Sequence, residues 1–287
     1  MPLEIRPLLP EDVPGADRAA FDALSPLWPE EHRPADDDER ARRGRLRVEH
    51  CRTTDPGGAW VAEQDGRIVG VALAIIREDV WGLSLLGVAP GLQGQGVGTR
   101  LLRPAVAYGA GCRGGIILSS ADPRAMRGYF RSGFDAHPAL AAAGAFNASR
   151  LPGGLRSRAG DPEADAATIE ACSRHVRTAS HLPDIGALVA SGAELLVCED
   201  RGYAVHRDGS PALVAAVDQD AARDLLWSCF AAGGPGASVH VDFITAGNDW
   251  AIDVSLDAGL SLTPDGPVFL RGETGPFHPY LPSGAYL

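Results

Sequence analysis

The sequence predicts a mixed α/β fold built twice. Three observations carry that expectation. Short apolar strand patterns alternate with helical ones along the chain. The second half repeats the order of the first in weakened form. The 287 residues are comfortable for two domains of about 130–150 residues each.

The elements follow in order. Leu3 to Leu8 alternates loosely as a strand, and Glu11 to Leu24 has a helical pattern opened by Pro10, Glu11 and Asp12. Pro26, Pro29 and Pro34 mark a loop. Asp36 to Thr53 predicts a second helix, acidic at its start (Asp36, Asp37, Asp38, Glu39) and basic later (Arg42, Arg43, Arg45, Arg47), as the helix dipole favours. In AWVAEQDGRIVGVALAII (59–76), Asp65-Gly66 between apolar runs predicts a hairpin. LSLLGV (83–88) is a further strand, Thr99 to Ala110 a helix, IILSS (116–120) a strand, and Pro123 to Ser132 a helix stopped by Gly133.

The repeat is visible in the residues. LVCEDRGYAV (196–205) echoes WVAEQDGRIV, and SVHVDFITA (238–246) echoes the strand before Ala121. Asp122, Ala125 and Gly133-Phe134 correspond in spacing to Asn248, Ala251 and Gly259-Leu260. One segment breaks the echo: VAPGLQGQGVGTRLL in the first half stands against VDQDAARDLL (217–226), which is shorter, lacks glycine and carries aspartates.

Composition narrows the function. The net charge of −11 argues against nucleic acid, which needs concentrated positive charge. It suits an amine substrate. All 26 basic residues in the Lys+Arg count are arginine, so a Walker A loop, a kinase strand lysine and a pyridoxal Schiff base are excluded. The start MPLEIRPLLPEDV has no leader pattern and no apolar run reaches membrane length, so a cytoplasmic protein is expected. Five dispersed cysteines fit free thiols in a reducing compartment. No HExxH or Cys/His cluster suggests a metal, and no GxSxG elbow is present.

The distinctive stretch is LLGVAPGLQGQGVGTRLL (85–102). A helix N-terminus exposes unpaired N–H groups and partial positive charge. A glycine loop before it lets more N–H groups converge on one anion. Gly94, Gly96 and Gly98 remove side chains from that approach, and Thr99 opens the helix. The dinucleotide fingerprint GxGxxG fails, because Thr99 or Leu101 stands at the third glycine.

This segment resembles the acetyl-CoA site of the GNAT acetyltransferase superfamily. That family's loop, Gln/Arg-x-x-Gly-x-Gly/Ala after a strand ending Val-x-Pro, is matched by Gln93, Gly96, Gly98, Val88 and Pro90. Its later Tyr-x-x-x-Gly-Phe is matched by Tyr129, Gly133 and Phe134. The resemblance covers residues 3 to 150 well and 155 to 270 as a degenerate second copy, like tandem-GNAT proteins. It implies two GNAT-like domains, each a mixed, mostly antiparallel sheet flanked by helices. The expected boundaries are 1–146, a linker at 147–154, and 155–287 with its proline- and aromatic-rich tail.

The resemblance also implies a mechanism. Acetyl-CoA is the acyl donor, with no metal. Backbone groups of Leu86, Gly87 and Val88 would bind its pantetheine arm, and the Val88 N–H would polarise the thioester carbonyl. The amides of Gln93, Gly94, Gln95, Gly96, Val97, Gly98 and Thr99 would hold the pyrophosphate. Asp122 stands where the family often has a cofactor-touching Asn; a carboxylate there is unfavourable to phosphates unless it points away. Tyr129 is the candidate acid for the leaving thiolate, since a phenol with pKa about 10 can donate to a thiolate whose acid lies near 8.5. Glu78, before the central strand, is the candidate base; Asp79 and Ser120 are its alternatives.

The expected function is acetyl transfer to the amine of a small molecule or peptide, by a monomer or homodimer with no nucleic-acid or membrane partner. Two alternatives stay open: a non-catalytic acyl-CoA-binding or sensing protein, and a scaffold whose second half binds a protein. The nearly uncharged tail GPFHPYLPSGAYL (275–287) is expected to pack on the protein, on its own domain or with the Leu287 carboxylate toward the cleft.

Overall fold

The computed structural model describes residues 3–27 and 35–287. The chain forms two compact units: Met1–Asp135 with Ala285–Leu287, and Ala136–Gly284. The expected loop over Pro29 and Pro34 lies outside the described residues.

The first unit runs β1 (Glu4–Pro7), α1 (Val13–Leu24), α2 (Asp38–Thr54), β2 (Ala59–Gln64), β3 (Arg67–Arg77), β4 (Val80–Val88), α3 (Val97–Tyr108), β5 (Gly114–Leu118) and α4 (Pro123–Arg131). This is the predicted order. β1 to β5 are neighbours in sequence order; all pairs are antiparallel except β4 with β5, which is parallel. The Asp65-Gly66 turn closes the β2–β3 hairpin with both residues at positive φ, 50° and 74°. Asp37 caps α2 by accepting the Arg40 N–H at 2.8 Å. Small residues let α1 approach β4: a Cβ at Gly87 would meet Ala20 Cα at 3.2 Å and Ala23 Cβ at 3.3 Å. Trp81 joins β4 to α3 by donating to the Ala105 carbonyl at 2.9 Å, and packs 5.5 Å from the Phe134 ring.

β6 (Asp135–His137) spans the boundary between the units. The second unit then runs β7 (Ala139–Ala145), β8 (Ser157–Ala159), α5 (Ala166–Arg177), α6 (Leu182–Ala190), β9 (Glu194–Cys198), β10 (Gly202–Arg207), β11 (Ser210–Ala216), α7 (Gln219–Gly233), β12 (Ser238–Thr245), α8 (Asp249–Asp257), β13 (Ser261–Pro264), β14 (Val268–Gly272) and β15 (Tyr280–Leu281). One sheet has the order β15-β11-β10-β9-β8, another β12-β7-β13. From β8 to α8 this repeats the first unit element by element.

The boundary differs from the expected linker at 147–154. β7 pairs with β12 and β13 on its two sides. Phe146 then packs with Trp227 and Phe230 in the second core. The Asn147 N–H donates to the Ala258 carbonyl at 3.0 Å. The NASRLPGG stretch therefore lies within the second unit, because the alanine-rich strand before it is buried there. The tail divides as well: Ala285–Leu287 belong to the first unit. Among the described residues, no helix is long and apolar enough to cross a membrane.

Candidate acyl-donor site

Strand β4 supplies the site by parting from its neighbour. β5 pairs with it only from Val80 to Leu83. Ser84 is the extra residue of a bulge, since Leu83 opposes Ala74 and Leu85 opposes Leu73 on β3. Beyond the bulge, β4 continues to Val88.

The hydrogen-bond alternation fixes which way this segment points. The Ala89 N–H donates to the Val69 carbonyl at 2.9 Å, and Gly87 opposes Val71 two residues back. In an antiparallel ladder, groups bonded toward one neighbour alternate with groups directed away. Leu86 and Val88 therefore aim their N–H and C=O groups away from β3, to the side where β5 has stopped pairing. The Val88 carbonyl confirms it by accepting from Gln93 Nε2 at 3.0 Å. Gly87 is different: its main-chain groups point toward β3 and its Cα faces α1. It is a packing residue, which corrects its place among the expected donor contacts.

The loop after Val88 is shaped by its glycines. Gly94 and Gly96 have φ of 76° and 82°. A Cβ at either would have nothing within 4 Å. Backbone conformation, not crowding by the protein, therefore demands glycine here, and the space over the loop is left for a ligand. Gly96 is the N-cap of α3, with its carbonyl accepting the Arg100 N–H at 3.1 Å. The first-turn N–H groups of Val97, Gly98 and Thr99 have no acceptor within the helix, and that turn holds no acidic residue. Val97 buries its side chain and fixes the helix start. Gln95 Nε2 donates to the Gly91 carbonyl at 3.0 Å, bracing the loop from outside. This cradle fits a phosphate group, as a helix N-terminus with convergent amides does.

The acid–base candidates divide. Tyr129 lies on α4, which packs on α3 where a Cβ at Gly128 would meet Leu102 Cδ2 at 3.6 Å. Tyr129 is buried. Burial, and secondarily the charge of Asp122, raise its phenol pKa well above the ordinary value. Asp122 is the N-cap of α4, accepting the Arg124 N–H at 2.8 Å and pairing with Arg124 Nη2 at 2.7 Å. The Arg124 guanidinium holds its carboxyl below the usual range. Asp122 thus caps its own helix with its charge matched, which argues against the expected cofactor contact.

Glu78 is corrected. It sits exposed in the β3–β4 turn at φ 52°. That turn is at the opposite end of the nine-residue β4 from the glycine loop, about 26 Å away at ~3.3 Å per residue. The segment where β4 and β5 part begins beyond Leu83, about 10 Å along the strand from Val80 at ~3.3 Å per residue, which a glutamate side chain in the turn does not span.

Sequence reasoning missed what surrounds the bulge. Ser84 Oγ accepts from Arg47 Nε at 3.1 Å and donates to the Ala285 carbonyl at 2.7 Å. Arg47 Nη2 also donates to the Ser84 carbonyl. Tyr286 meets the His50 ring edge-on at 5.2 Å. Leu287 is buried against Gly82, where its Cδ1 takes the space of a missing Cβ. The chain end is therefore part of the first unit beside the bulge. The uncharged, aromatic composition of the tail was the one signal for it.

Comparison with known proteins places this architecture. Residues 18–134, within the first unit, match the acetyltransferase (GNAT) family model and form a GNAT family-model domain. The whole chain shares its fold with solved GNAT structures. A proposed acetyltransferase from Pyrococcus horikoshii has a TM-score of 0.78 at 16% identity, over 99% of this chain and 96% of that one. A GCN5-related N-acetyltransferase from Sphaerobacter thermophilus has a TM-score of 0.59 at 16% identity, over 95% and 96%. A tandem GNAT protein from the clavulanic acid biosynthesis pathway has a TM-score of 0.58 at 15% identity, over 96% and 99%. At these identities the likeness is one of fold: two GNAT-like domains in one chain. No curated protein matches the chain in sequence.

Proposed function

We propose that the first unit binds acetyl-CoA and transfers its acetyl group to the amine of a small molecule or peptide. The observation that carries this reading is the direction of the Leu86 and Val88 main-chain groups. They open away from β3 and lead straight into a positive-φ glycine loop at a helix N-terminus. An extended polar arm fits the first feature and a pyrophosphate the second. Acetyl-CoA carries both, and its thioester supplies the activated acyl group.

The protein's own groups then have distinct tasks. The amides of Gly94 to Thr99 hold phosphate oxygens. The Leu86 and Val88 groups align the arm as an added strand would. The Val88 N–H is the donor available to a carbonyl oxygen at the mouth of the slot, where negative charge develops on attack by an amine. Tyr129 supplies a proton to the departing thiolate as the C–S bond breaks, while the proton lost by the attacking amine passes to solvent water, from which the phenol is restored.

A thiol-release assay with acetyl-CoA across a panel of small amines, aminoglycosides and peptide N-termini tests the reading. Turnover with at least one class is expected. Measurable CoA binding with no turnover across the panel replaces the enzyme with an acyl-CoA sensor.

A further inference from the structure

The second unit retains the frame of a donor slot, and the chain itself fills it. We infer that the segment Phe277–Leu281 is a permanent internal ligand of the second unit, seated where the first unit receives its acyl donor, so that each chain takes a single donor. The reference to a donor rests on the function proposed above; the filling of the slot rests on the second unit alone.

The correspondence is fixed by hydrogen-bond alternation. In the first unit the Ala89 N–H bonds to the Val69 carbonyl, leaving Val88 and Leu86 directed away from β3. In the second, the Val217 N–H bonds to the Arg201 carbonyl at 2.8 Å, leaving Ala216 and Val214 directed away from β10. Ala216 is therefore the counterpart of Val88, and Val214 of Leu86. The first-unit pair opens into the gap where β4 and β5 separate. The second-unit pair is covered by β15, in the register Val214 to Leu281 and Ala215 to Tyr280. The Ala216 N–H, counterpart of the proposed carbonyl-polarising donor, gives its hydrogen to the Pro279 carbonyl at 3.3 Å.

A second and independent clasp comes from Asn248. It stands at the N-cap position of α8 as Asp122 does in α4, but its side chain makes no cap hydrogen bond and is turned to other partners. It is fully buried. Its Oδ1 accepts the Tyr280 N–H at 2.9 Å, and its Nδ2 donates to the Phe277 carbonyl at 3.1 Å. Asn248 thus reads the polar backbone of the tail from the other side of the slot. Tyr280 adds a side-chain anchor, with its hydroxyl 2.6 Å from His181 Nε2 in the buried interior.

The phosphate end is closed in the same manner. Where the first unit has residues 89–96 before its helix, the second has only Val217 and Asp218. Asp218 accepts the Ala221 N–H at 3.0 Å, pairs with Arg201 at 2.6 Å, and is followed by Asp220 in the first turn. The Asp218 carboxylate occupies the helix N-terminus itself, and the exposed Asp220 beside it repels any phosphate brought there. The counterpart of Tyr129, four residues before the closing glycine, is Ser255, which has no phenol. Slot, anion cradle and acid have therefore all been converted together, and the converted slot anchors the tail just before its last three residues enter the first unit.

Residue-resolved hydrogen exchange on the full chain, with and without CoA, tests this. The Ala216 and Tyr280 amides are expected to exchange about a hundredfold or more slowly without ligand and to be unchanged by CoA. The Val88 amide and the Gly94–Thr99 amides gain protection only when CoA is added. Native mass spectrometry in excess CoA should count one per chain. Rapid exchange at Ala216 and Tyr280 without ligand, new protection there on adding CoA, or a second bound CoA overturns the inference. Protected Ala216 and Tyr280 with no CoA response at the glycine loop leaves the tail in its slot and instead removes the donor role of the first unit.

Discussion

The seat of the chain end in the first unit can be tested by a paired substitution. Leu287 is 1% exposed, and its Cδ1 occupies the position a Cβ on Gly82 would take. Gly82→Ala therefore expels the leucine or strains β4, and overpacking of this kind costs about 1–3 kcal/mol. Leu287→Ala removes a buried side chain, at a cost of about 2–5 kcal/mol. With alanine at 287 the space beside Gly82 is free, and adding Gly82→Ala should then cost less than about 0.5 kcal/mol. The two substitutions are thus expected to be non-additive by about 1–2 kcal/mol, within the range seen for side chains in contact. Native-state hydrogen exchange at the amides of β4 reads the stability of this unit in each variant. Additivity within about 0.5 kcal/mol refutes the placement of Leu287 against Gly82.

Two further predictions follow from the buried groups. Tyr129→Phe should lower turnover by about tenfold or more, the usual scale for losing a positioned acid, with CoA affinity near wild type; steady-state rates beside a binding titration decide it, and an unchanged rate removes Tyr129 from the mechanism. His206 is buried in the second unit, and desolvation holds its pKa below the ordinary 6.5. The unfolded chain therefore takes up the proton first, so this histidine's contribution to stability is present above about pH 6.5 and is lost as the pH falls toward its folded pKa. His206→Leu should flatten the stability of the second unit between pH 7 and 5; denaturant titrations at the two pH values check this, and an unchanged slope contradicts it.

Much of the first unit was legible because local chemistry and tertiary structure agree there. Asp65-Gly66 needs positive φ and forms the hairpin; the acidic start of α2 includes its cap, Asp37; the glycines of the loop are required by backbone conformation at 94 and 96. The first-unit strands and helices stand in the order their periodicity implies. What escaped is non-local. Nothing in ALAAAGA distinguishes one sheet from another, so the allegiance of β7 to β12 and β13 was hidden, and with it the boundary after Asp135. The bulge at Ser84 has no sequence mark, since serine is common in strands that never bulge. Glu78 has the right chemistry for a base, but its reach depended on which end of β4 the slot opens. Gly87 stands among the expected pantetheine contacts and Asp122 at the place of the family's cofactor-touching Asn; packing against α1 and capping of α4 account for them instead. The echo between Asp122 and Asn248 did carry information: both stand at a helix N-cap position, but Asp122 caps its helix while Asn248 binds the tail.

If the glycine loop of the first unit holds the phosphates of an acyl-CoA donor, as proposed above, CoA affinity must depend on the backbone of Gly96. A calorimetric titration of CoA into wild type and Gly96→Ala tests it most directly. Gly96 has φ 82° and open space where a Cβ would go, so alanine costs the free protein only its left-handed penalty, about 1–2 kcal/mol. In the complex it also disturbs charge-assisted amide contacts worth about 1.5–3 kcal/mol. One CoA per wild-type chain is expected, with affinity about ten- to a hundredfold weaker in the variant. Equal affinity in the two proteins, with Gly96→Ala folded, would contradict it.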